Sequence, residues 1–238
     1  GHEVMVIVPE HQEVEGYPFP VKTIVFSNGR NENPQLDFNF PCFTTHPHST
    51  TTFYELTGAQ MRAYVRAWCQ TINDAIAEFQ PDVVHANHVW VTSYVAHESR
   101  LPYVASCHGT DLMGFEKGPR YRQMALAAAE GAYRVIAISR QVKADVMETY
   151  HLPDEKVTLI WNGFDVDCFR VIPEATKETV LAEFGLVGAD KPLISFVGKF
   201  TGALMLSLML VASSVPIFFA VLYIQEAIEW RYLAAMIG

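Results

Sequence analysis

Along its middle third the chain alternates short apolar runs with segments whose apolar positions recur every three or four residues. The clearest periodic segment comes first. Met61, Tyr64, Val65, Trp68, Ile72, Ala75, Ile76 and Phe79 fall on one face of a long amphipathic helix. Pro81 ends that helix, and Asp82-Val83-Val84-His85-Ala86 follows as a strand. The pattern then predicts a helix over Thr92–Glu98, a strand over Tyr103–Ser106, a helix over Tyr121–Gly131 and a strand over Arg134–Ile138. Ser139 is placed to cap a helix over Gln141–Tyr150, and Val157–Trp161 forms the next strand. Upstream, Met5–Val8 is expected as a short buried strand and Val21–Phe26 as a second strand or an edge element. Residues 27–57, broken by Pro34, Pro41 and Pro47, are expected to be mainly loop. Downstream, Glu178–Phe184 predicts a short helix and Pro192–Val197 a strand. Apolar strands alternating with helices indicate an α/β fold built on a doubly wound parallel sheet.

Composition narrows the picture modestly. The 238 residues suffice for one large or two small domains, and a formal net charge of −9 is spread without long runs. Lys and Arg are not clustered, which argues against a nucleic-acid partner. Cys42, Cys69, Cys107 and Cys168 are far apart and form no CxxC pair, so free thiols in a reducing, cytoplasmic setting are expected. Gly1-His2-Glu3-Val4 leads straight into the first strand, as though the chain began inside a fold.

Candidate chemistry concentrates where strands end. His85, Asn87, His88 and Trp90 follow one strand, and His108, Gly109, Thr110 and Asp111 follow the next. If those strands are neighbours, their polar groups converge on one rim, and the carboxyl ends of parallel strands are where ligands bind in such sheets. The bland alternative for Cys107-His108-Gly109-Thr110-Asp111-Leu112 is a turn with a Thr or Asp helix cap. A metal site lacks a third ligand at recognisable spacing, so no metal is expected; His46 and His48 are expected as exposed loop residues. Asn162-Gly163 marks a turn, and Lys199, just beyond a strand, could meet a phosphate while Gly198 lets the backbone approach. A nucleophile elbow, a P-loop and a GxGxxG are all absent from the sequence.

The order of these pieces resembles the family 4 retaining glycosyltransferases, which have two facing Rossmann-like domains. The matching segments are Gly1-His2-Glu3-Val4 with Val8-Pro9, Pro81 to Ala86, His108 to Leu112, Val135 to Ser139, Val157 to Asp165 with Phe169, and Ser195 to Phe200. The resemblance covers about residues 1–200. It implies an incomplete Rossmann-like acceptor-side domain over residues 1–170, a linker over 171–190, the first strand of a donor-binding domain over 191–202 and an apolar tail over 203–238. It further implies transfer of a sugar from a nucleotide-diphosphate donor to a carbohydrate or lipid acceptor, without a separate cofactor. His108 would lie at the reacting sugar as the catalytic residue. His85, Asn87, His88, Gly109, Thr110, Asp111, Asn162 and Gly163 would contact substrate, and Lys199 would face the donor diphosphate.

Three departures accompany the likeness. The family's first strand and its Gly-rich turn do not precede Gly1, the second domain's pair of glutamates has no counterpart, and Gly202-Ala203-Leu204-Met205 replaces the family's continuation after Lys199. A fragment inactive on its own is the resulting expectation. Residues 203–224 carry no charge and are long enough to span a bilayer. They fit a membrane anchor, a buried helix or a shifted reading frame, and the last is favoured because a neighbouring frame can encode Gly-Ile-Asp-Val-Ile-Leu-Asn-Ala, the family's own continuation. The alternative function is a non-catalytic, membrane-tethered module that binds a small ligand at the His85/His108 rim; the expected location is cytoplasmic or peripheral to the inner face of the membrane. A metal hydrolase built on the histidines is a third reading.

Overall fold

The computed structural model describes residues 1–44, 46–117, 121–170, 173, 176–183, 194–196 and 219–221. They fall into two compact units, Gly1–Asn162 and Gly163–Gly238.

In the first unit, β1 (Val6–Glu10) pairs in parallel with β2 (Val21–Val25). A second sheet joins β5 (Val84–Asn87), β6 (Tyr103–Cys107), β7 (Arg134–Ala137) and β8 (Val157–Leu159), all parallel and in that order. Each crossover carries helix: α2 (Thr92–Glu98) between β5 and β6, α3 (Thr110–Lys117) and α4 (Arg122–Gly131) between β6 and β7, and α5 (Arg140–Tyr150) between β7 and β8. This is the expected α/β parallel architecture. Parallel strands covered on both faces need continuous apolar side chains, and Ala105, Cys107, Val135 and Ala137 are fully buried.

The long helix α1 (Gly58–Phe79) starts at a reciprocal cap, in which Thr57 accepts from the Gln60 amide while the Gln60 side chain accepts from the Thr57 amide. It buries Met61, Tyr64, Ala67, Trp68, Ile72 and Ala75, which is the predicted face. It ends at Gln80, in the left-handed conformation (φ 50°), and α5 ends the same way at His151 (φ 55°). Ser139 caps α5 as expected, accepting from the Val142 amide at 3.1 Å.

Residues 27–57 are mainly loop, as expected, yet they contain ordered pieces. Two-residue strands β3 (Pro41–Cys42) and β4 (Thr51–Thr52) pair in parallel within them. Leu36, Phe38 and Phe40 are buried while the intervening Asp37 and Asn39 are less so, an alternation that belongs to extended chain. With Phe26, Phe43, Phe53 and Leu56 they form the aromatic part of the core. Side-chain packing and backbone bonds between Leu36 and the end of β2 hold the segment, and its many turn residues hid that from pattern reading. α3 is a departure: the sequence offers a Thr or Asp helix cap here, but no periodic run marks the helix itself.

In the second unit, α6 (Lys177–Glu183) follows a reciprocal Thr176–Thr179 cap. β9 (Ile194–Phe196) pairs in parallel with β10 (Phe219–Val221). β10 lies within the apolar stretch 203–224; the rest of that stretch lies outside the described residues. Among the described residues no helix is long and apolar enough to cross a membrane.

At the end of α4 the fold leaves no room for a side chain. A Cβ on Gly131 would stand 2.2 Å from His97 Nδ1 and 2.7 Å from the Tyr103 hydroxyl, itself bonded to the Ala128 carbonyl at 2.7 Å. Gly131→Ala should therefore destabilise the first unit by about 1–3 kcal/mol in urea unfolding, whereas a surface alanine substitution such as Gln123→Ala should cost little.

Candidate functional site

β5 and β6 are hydrogen-bonded neighbours, with His85 opposite Val104 and Asn87 opposite Ser106. Their carboxyl ends bring His85, Asn87, His88, His108, Gly109 and Asp111 to one rim, the convergence expected from sequence. The His85 ring nitrogen Nε2 lies 2.8 Å from the Ser106 hydroxyl. Ser106 escaped the sequence reading, although it is the polar interruption in the apolar strand that precedes His108. His108 Nε2 donates to Asn87 Oδ1 at 3.2 Å, and its ring meets that of His88 edge to face with centroids 5.1 Å apart.

The rim is organised from beneath by Asp111, which is fully buried. Its Oδ2 accepts from the Val89 amide at 2.8 Å, and its Oδ1 accepts from the Gly109 amide at 3.0 Å and from the Cys107 thiol at 3.3 Å. One carboxylate on α3 thus ties the loop after β5 to the turn after β6. Gly109 makes that turn at φ +92°, a region open to glycine and costly for other residues. His88 also occupies the left-handed region, at φ +70°. It is held there because its amide donates to the Ser106 carbonyl at 2.8 Å and its carbonyl accepts from the Ser93 hydroxyl at 2.5 Å. A non-glycine residue in this conformation costs of order 1–3 kcal/mol and persists where its surroundings over-determine it.

Electrostatics follow from burial and these contacts. Burial alone would raise the Asp111 carboxyl, but the His88 ring, the Val89 amide and the Cys107 thiol outweigh it and hold the group below its usual value. Burial, then the adjacent His88, lowers His108, with Asp111 opposing them, so His108 favours its neutral form. The Cys107 thiol is pushed up by burial and by the Asp111 charge, which makes it a packing group and a poor nucleophile.

The remaining expected residues lie elsewhere. Trp90, grouped with the polar rim from sequence, is core: it is buried and stacks on Tyr121 with centroids 5.0 Å apart. Thr110 is half-buried at the first position of α3. Asn162 is exposed beyond β8, two strands from β6, and Gly163 opens the second unit. Gly198 and Lys199 lie outside the described residues. His46 and His48 are exposed. Among the described residues no three His, Cys, Asp or Glu side chains stand together as a metal ion would require.

A family model described as Glycosyltransferase Family 4 matches residues 1–168. Alpha-maltose-1-phosphate synthase of Mycolicibacterium smegmatis is 30% identical over 134 residues, 50% of this chain and 33% of that protein. An uncharacterized glycosyltransferase of Methanocaldococcus jannaschii is 27% identical over 129 residues, with the same two shares. The chain thus spans about a third of the length of these curated relatives. Among solved structures, sucrose-phosphate synthase of Thermosynechococcus elongatus superposes with a TM-score of 0.54 at 15% identity, covering 92% of this chain and 63% of its own. Anabaena HepE in complex with UDP gives 0.52 at 17% identity, covering 86% and 49%. Both likenesses bear on the fold.

The depressed Asp111 carboxyl makes a prediction about acid stability. The folded protein binds that proton less readily than the unfolded chain, so the stabilisation is present above about pH 4 and is lost as pH falls through the folded value. Urea unfolding of the wild type should weaken more between about pH 5 and about pH 3 than that of Asp111→Asn, which cannot titrate. Parallel losses would remove Asp111 as the source.

Proposed function

Because the chain belongs to glycosyltransferase family 4, we propose that it forms the acceptor-side part of an enzyme that moves a sugar from a nucleotide-diphosphate donor to a carbohydrate or lipid acceptor, with retention of anomeric configuration. The observation that carries this reading is the rim at the ends of β5 and β6, where a neutral-favouring His108 is held by Asn87 over a buried Asp111. The name of the mycobacterial relative and the UDP bound to the Anabaena protein support the substrate class.

The chemistry suits the rim's composition. Its carboxylate is fully buried and both oxygens are engaged, so Asp111 is badly placed to attack a sugar carbon. Retention without a protein nucleophile requires the acceptor hydroxyl to attack from the face the diphosphate leaves, and catalysis then rests largely on positioning. His108 would orient the reacting sugar by hydrogen bonding, alongside Asn87, His88 and the Gly109 turn. His85, Thr110, Asn162 and Gly163 would line the substrate path. The charge gathering on the leaving diphosphate needs a cation, the part assigned to Lys199 by its place after a strand. That work calls on a donor-binding domain, so this chain alone would turn over no donor. The thiols of Cys42, Cys69 and Cys107, none in a disulfide, suit a cytoplasmic enzyme.

The test is UDP release from UDP-glucose, with mixed carbohydrate and lipid acceptors, by this chain and by the longest product of its gene. The longer product should release UDP only with acceptor and give a product of the donor's anomeric configuration; this chain should release none. His108→Ala in the active form should lower kcat/KM by about 10²-fold or more without loss of the folded state. An inverted product, or unchanged turnover in that variant, would overturn the reading.

A further inference from the structure

The tie between Asp111 and His88 has a use beyond holding two loops together. His88 Nδ1 is buried, makes no hydrogen bond among the described residues, and lies 3.9 Å from Asp111 Oδ1. That distance is long for a hydrogen bond and short for a charge acting on a dipole inside a protein. The ring is gripped on its other sides. It packs on Phe43 with centroids 4.7 Å apart and against the edge of His108, while the backbone bonds to Ser106 and Ser93 fix where the side chain starts. About a third of the His88 side chain remains exposed, against none of Asp111.

A neutral imidazole carries its proton on one nitrogen and a lone pair on the other. A lone pair on the buried Nδ1 would face a carboxylate that is ionised at neutral pH, whereas an N–H there faces it favourably. The tautomer of a histidine is set by whatever its buried nitrogen meets. We propose that Asp111 is a positioning residue that locks His88 as its Nδ1–H tautomer, leaving His88 Nε2 as a hydrogen-bond acceptor for a sugar hydroxyl beside His108. The neighbouring ring takes the opposite tautomer: His108 Nε2 donates to Asn87 Oδ1, so its Nδ1 holds the lone pair. Two rings in contact, each anchored through a different nitrogen, thus both offer acceptors. Such a pair suits adjacent hydroxyls of a neutral saccharide and gives a phosphate no donor. The assignment of a saccharide rests on the glycosyl-transfer reading; the assignment of the tautomer does not.

Long-range proton–nitrogen correlation spectra of the uniformly 15N-labelled chain, recorded about two pH units above the usual histidine value of about 6.5, read both tautomers directly and require no activity. The expected result is a protonated Nδ1 on His88 and a protonated Nε2 on His108. An Nε2–H tautomer for His88 in the wild type overturns the proposal whatever any variant does. In Asp111→Asn, His88 should lose its single-tautomer signature while His108, held by Asn87, keeps its own as an internal control of folding. A His88 still locked as Nδ1–H beside an unchanged His108 would remove Asp111 as the cause. If that variant fails to fold, the wild-type spectrum decides.

Titration with glucose then tests the acceptor role, and movement of the His88 Nε2 resonance supports it. Movement of His108 alone overturns it. Movement of neither ring overturns the acceptor role of His88, while the tautomer result stands and UDP release separately decides the proposed function.

Discussion

A single buried carboxylate sets the geometry on which the candidate site depends. Asp111 is shut away from water, and a bare charge there would be costly unless its oxygens were engaged. Amides from the loop after β5 and from the turn after β6, together with the Cys107 thiol, supply that engagement. Because these donors come from two separate stretches of chain, the loop after β5 and the end of β6 with its turn, satisfying the charge also fixes where those stretches lie. The strained His88 backbone and the left-handed Gly109 turn are tolerable for the same reason: the surroundings leave them no better place to go.

This arrangement divides the rim into two kinds of residue. Asp111, Ser93 and Ser106 face inward and set conformation, while His85, Asn87 and His108 are exposed. Burial and the neighbouring His88 push His108 toward its neutral form, which matches a group that accepts hydrogen bonds better than one that neutralises phosphate.

Much of the architecture was legible in the sequence, because hydrophobic period decides it. The α1 face, the four-strand parallel sheet and the Ser139 cap all followed from spacing and residue type. So did the meeting of His85, Asn87, His88 and His108, once the β5 and β6 runs were taken as neighbours. Depth was harder to see. Asp111 and Trp90 sit beside exposed rim residues in the chain, yet both are buried, and one-dimensional order carries no signal for which polar group turns inward. The Leu36–Phe40 segment was missed for a related reason: it alternates like a strand, but prolines and polar neighbours surround it and its pairing is one parallel bridge between Leu36 and Phe26. Ser106 was overlooked because one small polar residue scarcely disturbs an apolar run.

The rim is also economical in chain length. The partners His85 and Ser106, Asn87 and His108, and Val89 and Asp111 are separated by 21, 21 and 22 residues, all across the same β5–α2–β6 crossover. Closing a loop of that size costs less chain entropy than joining more distant segments, by about 0.6 kcal/mol per halving of length. These polar pairings are therefore made within one local stretch of chain, with the Phe43 ring packed on His88 from outside it. Because the partners lie within one contiguous stretch, an insertion in any loop outside it leaves the chain distance between them unchanged.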